Sequence, residues 1–223
     1  MNVLALAASI DTTQCICIDV ECVATGTKYD DRAVARVAAV DWEENVIFDR
    51  MVKPDLPVVS HLTALTGIEP GQLDEASPLS DIIAELKTAC LNPMTVIVGQ
   101  SISKDIEWLG LVEGVDFAYI FDIAHLFRIP RHPTDPRAFQ SPFIYVNLRH
   151  ECLVLLNVDI QAGAHSPVVD AVYSMRLFTT YQYVSSVELD VVHSRLLNAP
   201  RTMSFANMYP VYDGVEMKKP YAS

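Results

Sequence analysis

Apolar and polar positions change period several times along the chain, and each change marks an element. Residues 15–23, CICIDVECV, carry apolar side chains at every second position and include β-branched residues, which predicts a strand. ARVAAVDW (35–42) and NVIFDRMVK (45–53) predict two more, joined by a turn around Glu43, Glu44 and Asn45 into an antiparallel meander. Pro54 and Pro57 end the third strand. LTALTGI (62–68) reads as a short helix closed by Gly67. ASPLSDIIAELKTACL (76–91) reads as an amphipathic helix, with Ser77 as its cap and Pro78 in first position.

From there the pattern alternates. MTVIVGQ (94–100) predicts a buried strand, KDIEWLGL (104–111) a helix, and YIFDIAHLF (119–127) begins as a strand. NLRHECLVLL (147–156) predicts a helix capped by Asn147. A long helix follows Ser166 and Pro167, and a last one lies around ELDVVHSRLLN (188–198). Residues 199–223 are punctuated by Pro200, Pro210, Gly214 and Pro220 and read as an extended tail behind a single domain, 1–198. The apolar start, MNVLALAASI, reads as an edge strand or packed arm. A signal peptide is the lesser reading, because no positively charged residue precedes the apolar run. Three antiparallel strands followed by alternating strands and helices predict an α/β fold with a mixed sheet.

Composition narrows the class. With 51% hydrophobic residues the chain of 223 supports a packed core rather than disorder. Its apolar stretches stop well short of the roughly 20 residues of a membrane helix, so no membrane partner is expected. Five cysteines, an odd number without a C-x-x-C pair, read as buried free thiols in a reducing interior, nucleus or cytoplasm, and not as a secreted framework. A net charge of −12 argues against a broad basic face for nucleic acid. One local strip runs against that trend: Arg128, Arg131, Arg137 and Arg149, with His125, His132 and His150, have only Asp135 among them as a counter-charge. It reads equally as a phosphate track or as a solvated loop.

Five residues carry candidate chemistry. Asp19 and Glu21, two apart on a strand, leave the same face, which Cys15 and Cys17 share. Two neighbouring carboxylates inside an apolar strand are poorly tolerated unless positive charge lies between them, and hard oxygen donors suit Mg²⁺ or Mn²⁺. The bland alternative is a chance pair on a solvated strand end. Asp105 is either an acid favoured by the first turn of a helix or a further ligand from a strand-to-helix loop. Asp170 falls in the first turn after Ser166, and His165 just before it; a histidine titrates near neutrality and can take a proton from water.

These residues, D-V-E at 19–21, Asp105, and H-x-x-x-x-D at 165–170, resemble the three motifs of the DEDD exonucleases with an RNase H-like fold, in the subgroup with histidine in the third motif. The resemblance covers roughly residues 13–182. ARVAAVD, FDRMVKP, LTGI and HSPVVDA are most similar to Rex-type RNA exonucleases; FDIAHLFRIP, NLRHECLVLL and DIQAGAHSPVVDA also resemble the Pan deadenylase nuclease domain. The resemblance implies that Asp19, Glu21, Asp105 and Asp170 bind two divalent cations, Mg²⁺ or Mn²⁺, with His165 as general base. It further implies that Cys22, Val23, Leu65, Thr66 and Gln100 contact the terminal nucleotide. Gln100 stands where many relatives have histidine, and Val169 where they commonly have glutamate.

The function so implied is 3′-to-5′ hydrolysis of single-stranded RNA, releasing 5′-mononucleotides. The alternatives are a DNA 3′ exonuclease and a catalytically silent nucleic-acid-binding scaffold. The tail beyond Ala199 is free to serve a second copy or another protein.

Overall fold

The computed structural model describes residues 2–219; Met1 and residues 220–223, including the break expected at Pro220, lie outside the described residues. The chain opens with α1 (Val3–Ser9), then runs through β1 (Cys15–Ala24), β2 (Arg32–Asp41) and β3 (Val46–Lys53). Next come α2 (Thr63–Thr66), β4 (Ser77–Pro78), α3 (Leu79–Cys90), β5 (Val96–Gly99), α4 (Ser103–Leu109), β6 (Tyr119–Asp122) and α5 (Ala124–Phe127). A small ribbon of β7 (Ile129–Pro130) and β8 (Phe143–Ile144) precedes α6 (Leu148–Glu151), α7 (Pro167–Tyr181) and α8 (Ser186–Asn198). The chain closes with α9 (Phe205–Met208) and a hairpin of β9 (Val211–Tyr212) and β10 (Val215–Glu216).

Six strands form one mixed sheet in the order β4-β3-β2-β1-β5-β6, with β1–β3 antiparallel and β5 and β6 parallel to β1. The expected α/β mixed sheet flanked by helices is therefore present. Its strands alternate because each face has its own core. Ile16, Ile18 and Val20 of β1 pack with Ile82 and Leu86 of α3 and Ile106 and Leu109 of α4. Cys15 and Cys17 face the opposite core with Ala171, Met175 and Phe178 of α7. The acids at 19 and 21 continue that second face, toward the start of α7. All five cysteines are free thiols. Among the described residues no helix is long and apolar enough to cross a membrane.

Three local expectations change. MNVLALAASI forms α1 rather than a strand: Asn2 caps it by accepting from the Leu4 N–H at 3.1 Å, and Ala and Leu are strong helix formers. Gln182 fastens its end, donating from Nε2 to the carbonyls of Ala7 and Ile10 at 3.1 and 2.7 Å. Ser77 does not cap α3. Ser77 and Pro78 extend in parallel beside Val52 and Lys53, so the cap position moves to Pro78, which has no side-chain bond to offer.

The tail, finally, is not simply extended. Through residue 219 it forms α9 and the β9–β10 hairpin, because Phe205, Tyr212, Val215 and Met217 bury against Ala24 and Leu62 and offset the cost of ordering it.

Candidate active site

The candidate residues are held by three separate parts of the fold. Asp19 and Glu21 lie on β1 opposite Ala38 and Arg36, with a bulge immediately after Glu21 that marks the end of regular pairing. Asp105 lies in the first turn of α4, placed by the connection from β5. Gly99 lets that connection turn closely, since a Cβ there would meet Ile102 at 2.8 Å. Ser101 follows with φ +57°, and its N–H and that of Ala124 both donate to Asp122 Oδ1 at 2.9 Å. Asp170 sits in the first turn of α7, its N–H on the Ser166 carbonyl at 2.9 Å. Ser166 is the cap residue in backbone position but lends no side-chain bond. His165 is fixed by its own N–H, which donates to the Leu65 carbonyl at 2.6 Å. The short α2 turn thus anchors the histidine, and Gly67 closes that turn at φ +69°.

These elements bring the residues together. Donor atoms of Glu21, His165 and Asp170 all lie within 4.8 Å of one another, in an arrangement able to hold a metal ion. His165 Nδ1 is 3.7 Å from Asp170 Oδ2. Asp19 and Asp105 stand outside that group, yet Asp105, Asp170 and Glu21 all act on Asp19.

The electrostatics suit a positively charged partner. Burial, then repulsion from Asp105, Asp170 and Glu21, pushes the Asp19 carboxyl well above the usual carboxylate range. Burial and Asp170 do the same to Glu21, against a smaller opposing pull from Arg36. Burial raises Asp105 to about 7 and Asp170 to about 6. Holding two such carboxylates ionised at neutral pH costs on the order of a few kcal/mol. Arg36, the arginine that acts on Glu21, is itself committed to Asp49 through a bidentate pair at 2.8 Å, so its pull offsets this only in part. A group of buried oxygen donors with no thiolate in reach fits hard divalent cations. Burial, with Arg149 nearby, lowers His165 to about 4, so its ring is neutral at pH 7 and can accept a proton.

Gln161 belongs to this site although its sequence context gave no sign of it. Its Nε2 donates to Asp170 Oδ2 at 3.2 Å and lies 3.3 Å from His165 Nδ1, bridging the two residues of the third motif. It sits in an irregular loop, QAGA, with no periodicity to betray it.

The expected nucleotide contacts divide. Cys22 and Leu65 line a cleft of about 740 Å³ that also takes in Glu21, Tyr29, Lys104 and Trp108. Val23 and Thr66 do not reach it. The Val23 side chain is fully buried beside Ile68 and Leu73. The Thr66 hydroxyl is spent inside its own turn, donating to the His61 carbonyl at 2.9 Å and accepting from the Ile68 N–H at 3.1 Å. Gln100 is likewise structural: its Nε2 donates to the Val146 carbonyl at 3.1 Å and to Glu151 Oε1 at 3.3 Å. Burial pushes the Glu151 carboxyl well above the usual carboxylate range, toward its neutral form. A neutral carboxyl can donate as well as accept, which suits a pair whose other oxygens, Gln100 Oε1 and Glu151 Oε2, are both buried without partners.

The basic strip is partly cancelled, with two carboxylates against its four arginines. Arg131 and Arg137 both pair with Asp135, at 3.3 and 3.0 Å. Arg149 pairs with Asp159 at 2.8 Å, a counter-charge outside the strip. Arg128 lies over the Phe143 ring at 4.0 Å, and His150 is buried on the Leu196 carbonyl at 2.9 Å. The solvated-loop reading fits these pairings better than a phosphate track.

No protein-family model matches the chain. Small RNA degrading nuclease 2 of Arabidopsis thaliana is 30% identical over 171 residues, covering 75% of this chain and 35% of that protein. RNA exonuclease 4 of Gibberella zeae is 30% identical over 200 residues, covering 89% and 57%. The chain therefore spans about a third to just over half the length of these curated relatives. The pseudoubiquitin hydrolase–RNA exonuclease module of Saccharomyces cerevisiae Pan2, solved in complex with AAUUAA RNA, shares the fold at a TM-score of 0.60 and 21% identity, over 81% of this chain and 31% of that one. Site and likenesses lead to one conclusion: the chain belongs to the DEDD exonucleases of the RNase H-like fold.

Proposed function

We propose that the chain hydrolyses single-stranded RNA from its 3′ end and releases 5′-mononucleotides. In this reading Asp19, Glu21, Asp105 and Asp170 hold two divalent cations, Mg²⁺ or Mn²⁺, and His165 is the general base. The observation that carries it is the convergence of Glu21 and Asp170 on a neutral His165, with Asp19 and Asp105 close enough to act on them and all four acids pushed above their ordinary range. The names of the relatives support nuclease chemistry on RNA, and the RNA bound to the Pan2 module supports a single strand as substrate.

Cations bound by these acids would supply Lewis acidity, neutralising the scissile phosphate and making water easier to deprotonate. The chain's own residues do the rest. The four carboxylates bind and orient. His165, neutral at pH 7 and held through the Leu65 carbonyl, takes the proton of the attacking water. Gln161 keeps the ring and Asp170 in fixed relation. Cys22 and Leu65 present an apolar surface to the terminal nucleotide.

The test is digestion of matched 5′-labelled and 3′-labelled RNA and DNA oligonucleotides with Mg²⁺, Mn²⁺ or EDTA. A 5′-labelled RNA should give a ladder shortening from the 3′ end, and a 3′-labelled RNA should give labelled mononucleotide at once. Preference for DNA would replace the substrate, and inertness under every condition would favour a silent binding scaffold.

A further inference from the structure

The C-terminal segment returns to the cleft that holds Glu21. Val215 and Met217 are buried with Ala24 and Leu62. The Glu216 N–H donates to the Thr27 carbonyl at 2.8 Å, which joins the segment to the loop after β1. Arg32 strengthens that joint. Its guanidinium donates to the carbonyls of Lys28, Asp31 and Glu216 at 3.0, 3.2 and 2.9 Å, so it ties backbone together instead of offering charge to the cleft. Beyond the hairpin, Met217 and Lys219 enter the cleft wall alongside Glu21, Cys22 and Leu65. Three cations border this cleft. Arg32 is spent on carbonyls and Lys104 is paired with Glu107 at 2.9 Å, which leaves Lys219 without an ion pair among the described residues.

We propose that the C-terminal segment is a specificity-determining wall of the substrate cleft, with Met217 contacting the base or ribose of the terminal nucleotide and Lys219 a backbone phosphate. The inference rests on the exonuclease reading for its substrate class. A single-strand end offers a flat apolar face and an anionic phosphate a few ångströms apart, and Met217 and Lys219 offer their complements from one short stretch of chain. The cleft's volume of about 740 Å³ lies within the roughly 300–1,000 Å³ usual for small-ligand sites. In an acidic chain, a lysine that lines the same cleft as Glu21 and has no ion pair among the described residues has weight, because a phosphate approaching this cleft meets few other free cations.

The test uses the full chain with Lys219→Glu, Met217→Ser and the control Lys218→Glu, which makes the same charge change one residue away at a position outside the cleft lining. Two readouts are taken. The first is KM and kcat on a 5′-labelled single-stranded RNA. The second is titration of adenosine 5′-monophosphate with Mg²⁺, followed by the fluorescence of Trp108, which lines the same cleft.

Lys219→Glu should raise both KM and the mononucleotide Kd by about tenfold, with the loss in KM rather than kcat, and lowering salt should not rescue it. Met217→Ser should cost about fivefold in each. Lys218→Glu should change neither by more than about twofold. Unchanged KM and Kd in both cleft variants overturns the proposal, as does faster turnover, which would make the segment a plug. Equal losses in Lys218→Glu would reduce the effect to overall charge and also overturn it. Should the wild type cleave nothing, the exonuclease reading fails, and the mononucleotide titration decides the wall separately: binding weakened by the two cleft variants supports it, and absent or unaffected binding sinks it.

Discussion

Two groups of like charge stand out in this sequence, and the fold treats them in opposite ways. The basic residues between 125 and 150 are spread along a loop-rich stretch where acids can reach them. Asp135 takes Arg131 and Arg137, and Asp159 takes Arg149. The acids come from three distant segments and stand close together, where the arginine that acts on Glu21 already belongs to Asp49. A charge readable in sequence is thus not yet a free charge. Opposite charges on a mobile surface find each other cheaply and cancel, whereas like charges buried together persist only where something absent from the polypeptide compensates them.

The contrast can be broken at several points. The largest effect is expected at Asp19. Asp19→Ala should weaken metal binding and abolish cleavage, read as Mn²⁺ affinity and as product formation over hours. His165→Ala comes next: turnover should fall by roughly 10²–10⁴ while metal affinity stays close to wild type. If the variant turns over normally, the proton goes elsewhere and Asp170 alone carries the third motif. Gln161→Ala should cost about 10–100-fold in kcat, the usual effect of loosening a residue that orients ligands. An effect confined to KM would assign Gln161 to substrate instead.

A pH series sharpens the same point through stability. Asp170, near 6, and Asp105, near 7, are raised above ordinary carboxylates, so the folded metal-free protein holds protons that the unfolded chain releases. Their favourable contribution is complete below about pH 4 and is lost as pH rises through about 6 to 7. The Tm of metal-free protein should therefore fall between about pH 5 and 8. Asp170→Asn and saturating Mg²⁺ should each flatten that fall. A Tm that rises across the window in wild type and variant alike would mean that the acids are compensated from within. The smallest effect is expected in the basic strip. Arg131→Ala with Arg137→Ala should move KM for a long RNA by less than about twofold, because both guanidinia are already paired with Asp135. A large rise in KM with a flatter salt dependence would restore the strip as an RNA track.

What the sequence could announce follows from the range of the interactions. Strands β1–β3 and helix α7 rest on local periodicity and on Pro167 at the first helical position, and the five residues of the motifs could be picked out because residue type and element already constrained them. The start of the chain was harder. MNVLALAASI becomes helical with Asn2 as cap, and its far end is fastened by Gln182, a partner more than 170 residues away. Ser77 looked like a cap until the backbone of β3 claimed it. Val23, Thr66 and Gln100 are where motif and geometry part: their positions adjoin the site while their side chains serve the core, the α2 turn and Glu151. Residues 199–219 carry three helix- and strand-breaking signals, Pro200, Pro210 and Gly214, and few clues to the apolar surface at Ala24 and Leu62 that orders them. Long-range partners decided each of these, and no local pattern encodes them.

The central claim is that the four acids are held for divalent cations, and calorimetric titration of Mn²⁺ into metal-free protein near pH 6.5 tests it most directly. Binding should release protons, seen as heats that vary with the ionisation enthalpy of the buffer, because Asp105 and Asp170 are partly protonated there until the metal arrives. Asp19→Ala should lose most of that signal. No binding at millimolar Mn²⁺, or heats identical in wild type and Asp19→Ala, would contradict the account.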